Sequence, residues 1–217
     1  VFPPYTTSMN VSYIWQHFLE NVQQTSLPEW ISTVTQIASV WYAKKNKVLV
    51  YPTGIIGVLI AFYLYLFVAD TPLYADSLLN LYYFIMSVYG WYIWTRRKQD
   101  QSFEYPISWC NRQELITGIS VFILGFFLIW ILLAKITNSN TPVWDALLSS
   151  SAVTSMWWMA KRKMENWIAW ILSNIVAVPL NFYKDFMLYT VMYIIFLGLA
   201  ISGYNEWNQK IKSATTR

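Results

Sequence analysis

Charge is scarce in this chain of 217 residues: 12% are Asp, Glu, Lys or Arg, about half the share of an ordinary soluble domain. So few charges do not coat a water-facing surface. One histidine, His17, and one cysteine, Cys110, are present. His17 is alone and lies in the N-terminal arm, which argues against a histidine-based triad or histidine metal cluster, and a lone cysteine excludes an intramolecular disulfide or a cysteine zinc site. No glycine-rich phosphate loop occurs, which argues against ATP-driven pumping. No pair of carboxylates falls inside an apolar stretch, as proton-coupled carriers require. The first 26 residues carry no Lys or Arg and no continuous apolar core, so they do not read as a cleavable leader and are expected to form an extramembrane arm.

What is abundant is apolar surface, with 56% hydrophobic and 19% aromatic residues. The apolar residues come in blocks of about 17 to 22, long enough at about 1.5 Å per residue to cross a hydrocarbon core of about 30 Å. Helices satisfy their own backbone hydrogen bonds in lipid, and the alternating ten-residue segments of a membrane barrel are missing. The expected fold class is an all-α integral membrane protein with seven transmembrane helices, at 27–43, 48–69, 74–94, 115–136, 143–160, 166–183 and 186–205. Ser32, Thr33, Thr35 and Gln36 make the first span polar, which places it inside the bundle.

Basic residues accumulate in cytoplasmic loops. With the N-terminus outside and the C-terminus cytoplasmic, 13 of the 15 Lys and Arg fall on the inner side of these spans. This asymmetry explains the basic pI of about 9 without nucleic acid. Glu20, Glu29, Asp70, Asp76, Asp145 and Asp185 fall outside and would draw a cationic solute.

A shift of 116 residues places Ser39, Trp41, Lys45 and Lys47 over Ser155, Trp157, Lys161 and Lys163, and Thr33 and Thr35 over Ser149 and Ser151. A shift of 113 then places Tyr89, Gly90, Trp91 and Trp94 over Ser202, Gly203, Tyr204 and Trp207. The expected organisation is an arm at 1–26, a three-helix unit at 27–94, a linker helix at 115–136, a second three-helix unit at 143–207 and a cytoplasmic tail at 208–217. Two like-oriented triplets need an odd helix between them, the parallel 3+1+3 plan of SWEET-like carriers, with the substrate site between the halves.

Amides in hydrocarbon are costly without a partner and turn toward the bundle or a wet crevice. Trp167, Trp170, Asn174 and Asn181 share one face of the sixth span; Asn80, Tyr83, Ser87, Trp91 and Trp94 share one face of the third, and Tyr189, Tyr193 and Phe196 one face of the seventh. Indoles stack on flat or cationic rings, and amides bond hydroxyls. The candidate substrate-binding set is Trp167, Trp170, Asn174, Asn80, Tyr83, Ser87, Tyr193 and Asn181, with no catalytic residue, metal or cofactor. The plainer alternative is helix packing through asparagine. Trp41, Trp94, Trp157, Trp158 and Trp207 lie near inner span ends and are expected as interfacial belt residues. Pro52 and Pro179 are expected to bend their helices.

The stretch Glu165, Asn166, Trp167, Ile168, Ala169, Trp170 followed by Asn174, with Tyr89, Gly90, Trp91, Tyr92, the Tyr51 to Gly54 segment and the Gly203–Tyr204 pair, resembles the PnuC-type vitamin transporter family. The resemblance runs from about residue 28 to 208. It implies a seven-helix SWEET-like carrier of the bacterial inner membrane, assembled as a homotrimer. Such carriers move mainly nicotinamide riboside by facilitated diffusion, with branches for thiamine and riboflavin, and later phosphorylation traps the product. By position it implies that Trp167, Trp170 and Asn174 line the substrate site, with Asn80 where relatives carry Gln. Gly57 stands where some riboside carriers have an amide, and Met192 where some have a carboxylate; both leave room for a thiamine carrier. A non-transporting membrane receptor or scaffold is the remaining alternative.

Overall fold

The computed structural model describes residues 11–69, 73–136, 140–184 and 186–215. Among them are eight helices: α1 (Val11–Gln24), α2 (Leu27–Lys44), α3 (Val50–Tyr63, continued by a π turn at Leu64–Val68), α4 (Tyr74–Thr95), α5 (Arg112–Ile136), α6 (Pro142–Ala160), α7 (Glu165–Tyr183) and α8 (Met187–Thr215). The chain is all-helical. Helices α2 to α8 occupy the stretches read as spans; α1 lies in the arm, to which the sequence assigned no structure, and packs against α8. The expected outer acids Asp70 and Asp185 lie outside the described residues.

Three of the described segments are both long and apolar enough to cross a bilayer, Val50–Val68, Arg112–Lys135 and Met187–Ala214. The remaining long helices dilute their apolar runs with Ser, Thr, Asn and Tyr. Local chemistry sets the helix starts. The Glu29 carboxylate accepts the Ser26 main-chain N–H at 2.6 Å, closing the first turn of α2. Asn111 and Glu114 exchange main-chain to side-chain bonds of 2.9 and 2.8 Å at the head of α5. Pro52 lies in the first turn of α3, where a missing N–H breaks no helical bond, so it needs no bend. Pro179 sits inside α7, which continues past it to Tyr183.

Consecutive helices pack as two runs, α2–α3–α4 and α6–α7–α8, with α5 laid on α6. The runs meet crosswise: α2 packs on α8, and α4 on α6. The short loops joining α2 to α3 and α6 to α7 share one backbone design. Asn46 and Arg162, 116 residues apart, both take a left-handed conformation, at φ 57° and 56°. Asn46 N–H bonds Ala43 O at 2.8 Å and Lys47 N–H bonds Tyr42 O at 2.9 Å; Arg162 N–H bonds Met159 O and Lys163 N–H bonds Trp158 O, each at 2.9 Å.

Ring packing is paired in the same way. A Cβ at Gly90 would lie 2.4 Å from the Tyr51 ring, and one at Gly203 would lie 2.6 Å from the Trp167 ring. Each large ring thus fills the space left by a glycine in its own run. Tyr51 meets Trp94 edge-on at 5.2 Å and 88°, as Trp167 meets Trp207 at 5.4 Å and 89°. Trp94 and Trp207 are fully buried and touch each other at 5.9 Å. The belt expectation is therefore corrected for Trp94 and Trp207, whose indoles pack against the opposite run, and for the buried Trp158, whose ring packs on Gly118 of α5. Trp41 is 42% exposed.

Arg162 is fully buried. Its guanidinium donates to Tyr105 O at 2.9 Å and Trp94 O at 3.3 Å and lies over the rings of Trp94 and Phe103, 4.3 and 4.0 Å from their centroids. Burial lowers its pKa to about 10, so it stays cationic at neutral pH. It pins the α4–α5 linker onto the α6–α7 loop.

A candidate substrate cavity between the two helical runs

Between the runs lies a cavity of about 190 Å³. It takes walls from α2, α3, α4, α6, α7 and α8, and none from α5. The α7 wall is Trp167, Trp170 and Asn174, which the 3.6-residue period stacks on one face. Glu165, at the head of α7, accepts the Cys110 N–H on both oxygens at 2.9 and 3.0 Å, which anchors this helix to the linker just below the cavity. Asn174 is 2% exposed, and its amide has no hydrogen-bond partner among the described residues. A buried amide with nothing to bond is a costly arrangement unless a ligand or water completes it.

Tyr83 and the buried Ser87 of α4 line the cavity, as do Tyr193 and Phe196 of α8, which meet edge-on at 6.1 Å. Met156, Met159 and Met192 add soft, adaptable surface. Every lining side chain is uncharged.

Six of the eight predicted site residues thus converge, Trp167, Trp170, Asn174, Tyr83, Ser87 and Tyr193; two do not. The Asn80 amide donates to Asp76 O at 2.9 Å and the Asn181 amide to Ala177 O at 2.8 Å. Each amide N–H is thus taken up by the preceding turn of its own helix, and neither residue lines the cavity. Helical periodicity identifies a face but not the level at which a crevice opens. The cavity also takes Gln36, Ser39 and Tyr51, which were not singled out. The polar stripe of the first span was the available signal for Gln36.

Residues 26–209 match the sequence profile of the nicotinamide mononucleotide transporter family. The chain belongs to this family. Its members are transporters rather than enzymes, and the protein is accordingly a membrane transporter. The chain is 22% identical over 213 residues to the nicotinamide riboside transporter PnuC of Escherichia coli, with 87% of each chain covered. It is 23% identical over 196 residues to that of Neisseria mucosa, covering 84% of this chain and 72% of the relative. A riboflavin/roseoflavin transporter, RibM of Streptomyces davaonensis, is 27% identical over 128 residues, 56% of this chain and 58% of the relative. The crystal structure of a vitamin B3 transporter PnuC superposes with a TM-score of 0.70 at 21% identity, covering 93% of this chain and 89% of that one. At this identity the superposition establishes a common fold. Met192 lines the cavity, and Gly57 packs against Gln36.

Proposed function

We propose that the protein is a facilitative carrier that imports nicotinamide riboside across the bacterial inner membrane, with later phosphorylation trapping the product. Seven helices, α2 to α8, cross the bilayer with the N-terminus outside, as two like-oriented triplets joined by α5 in the SWEET-like plan, and three copies assemble as a homotrimer. The single observation that carries the transport reading is the central cavity: two indoles and an unpartnered buried amide facing one space between two runs of helices. The matched inner loops, the glycine-seated rings and the crosswise packing of α2 on α8 and α4 on α6 support the repeat. The distribution of Lys and Arg supports the orientation, and the family resemblance supports the trimer and the uncoupled mechanism.

The choice between riboside and mononucleotide rests on charge. A phosphate buried in a cavity needs cationic partners, and no Lys or Arg lines this one. The aromatic rings of Trp167 and Trp170 suit the cationic pyridinium, and Asn174 suits hydroxyls. Met192, an uncharged residue at the wall, favours a second reading, thiamine or another unphosphorylated vitamin of similar shape. Counterflow in proteoliposomes tests both. Labelled nicotinamide riboside should exchange and be competed by unlabelled riboside but not by the mononucleotide. Exchange of thiamine or riboflavin alone would replace the substrate, and binding without exchange would make the protein a receptor.

A further inference from the structure

Gly57 of α3 faces α2 so closely that a Cβ there would lie 2.7 Å from Gln36 Cγ, 2.9 Å from Thr35 Oγ1 and 3.1 Å from the Ser32 main-chain oxygen. No side chain fits. The space is taken by Gln36, which passes over the glycine and reaches the cavity wall.

Two hydrogen bonds then decide which end of the Gln36 amide faces inward. Ser32 Oγ–H donates to Gly57 O at 2.9 Å, and Gln36 Nε2–H donates to Ser32 Oγ at 2.9 Å. A hydroxyl has one proton to give. That of the buried Ser32 is committed to the Gly57 carbonyl, so toward Gln36 its oxygen can only accept, and the amide must present its NH2 group there. Oε1 is left pointing away from Ser32, with no partner among the described residues. The relay runs one way, from glutamine to serine to the glycine carbonyl. Nearby polar groups do not duplicate it: Ser39 Oγ is used on Val50 O at 2.7 Å, and Asn174 is free to turn either end of its amide to a ligand.

We infer that Gln36 Oε1 is a fixed, uncharged hydrogen-bond acceptor in the substrate site, specific for a hydroxyl or amino hydrogen of the substrate, with Ser32 and Gly57 as its positioning residues. This rests on the carrier reading of the cavity given above. An analogue that lacks the donor leaves Oε1 unpaired, and one that presents a carboxylate at that point is repelled. Discrimination of this kind exceeds what an apolar wall gives, because the unmet group is a buried polar one.

Calorimetric titration of the purified, full-length protein tests the inference, using nicotinamide riboside, its single-deoxy ribosides and its N-dimethylated carboxamide as probes. Wild-type protein that binds none of them defeats the carrier reading and not this assignment. With wild-type binding in place, Gln36→Leu should weaken the riboside about tenfold, the loss of one hydrogen bond. It should also bind one analogue as well as wild type does, identifying the donor that Oε1 receives. Gln36→Glu keeps an acceptor but has no N–H for Ser32, so it should still bind the cationic riboside while losing discrimination among the analogues. Gly57→Ala removes no polar group and should imitate Gln36→Leu by pushing the side chain aside, while Ser32→Ala should reduce the discrimination among analogues by letting the amide flip. Riboside affinity within about twofold of wild type in folded Gln36→Leu, with the analogue ranking unchanged, would overturn the assignment. If Gln36→Leu does not fold, unchanged affinity in Gly57→Ala overturns it equally.

Discussion

Trp94 and Trp207 touch, and each donates its indole N–H to a main-chain carbonyl in the opposite helical run, Trp94 to Met159 O at 3.2 Å and Trp207 to Ala43 O at 3.0 Å. The two bonds are reciprocal. Each ties the third helix of one run to the first helix of the other, beneath the cavity. Separating the runs at this contact breaks both bonds and exposes both indoles.

Replacing Trp94 or Trp207 by Phe should therefore act alike. Either variant keeps most of the ring packing and loses one buried N–H to carbonyl bond, about 0.5 to 1.5 kcal/mol, because Met159 O still accepts Arg162 N–H and Ala43 O still accepts Asn46 N–H. We expect a lowered thermal midpoint for both in detergent, and a larger reactive fraction for a thiol probe introduced on the inner side of the cavity wall. A response from one variant only would mean that the two contacts are not equivalent.

Trp170→Ala and Asn174→Ala should each weaken nicotinamide riboside binding by on the order of 1 kcal/mol or more, through a lost cation–ring contact and a lost hydrogen bond respectively. Asn80→Ala and Asn181→Ala should leave affinity unchanged, because their amides are satisfied inside their own helices. Isothermal titration of all four variants gives the ranking; a drop for Asn80→Ala equal to that for Asn174→Ala would contradict the cavity assignment.

Gly90→Ala and Gly203→Ala force a methyl group into the Tyr51 and Trp167 rings, at 2.4 and 2.6 Å. Overpacking of this kind costs about 1 to 3 kcal/mol. Both should lower the thermal midpoint. Gly203→Ala should also impair binding, since Trp167 has no direction to move without entering the cavity or disturbing Trp207. Gly198 serves as the control, because a Cβ there meets nothing within 4 Å.

Cys110, the chain's one cysteine, lies in the α4–α5 linker that the proposed topology puts in the cytoplasm. Burial, with a further contribution from the Glu165 carboxylate, pushes its thiol well above the usual range. The thiolate is the reactive form, so labelling should be slow at neutral pH and rise about tenfold per pH unit through the alkaline range. A membrane-impermeant maleimide should label inverted vesicles and spare right-side-out cells. Labelling of intact cells would reverse the orientation.

Much of the architecture was readable beforehand because apolar block length and helical period are properties of a single strand of sequence. The α7 wall followed from spacing alone: Trp167, Trp170 and Asn174 share a face whatever that face meets. Depth was not readable. Asn80 and Asn181 carry the same pattern as Asn174, yet the relevant difference is whether the preceding turn or an open space receives the amide, and that depends on partners distant in the chain. Trp94 and Trp207 were misplaced for the same reason, since a tryptophan near a span end looks identical whether it meets headgroups or another helix. Gln36 was hidden differently. Its route to the cavity depends on a missing side chain 21 positions away at Gly57, a feature visible only as an absence.

The guanidinium of Arg162 reads oxygen atoms of the main chain at Trp94 and Tyr105 and no carboxylate. The side chain at Tyr105 can therefore change without removing a hydrogen bond, whereas Trp94 also supplies a ring face to the cation. The linker is fastened by a bond to its backbone and by the aromatic face of Phe103, and only the second leaves a trace in its sequence.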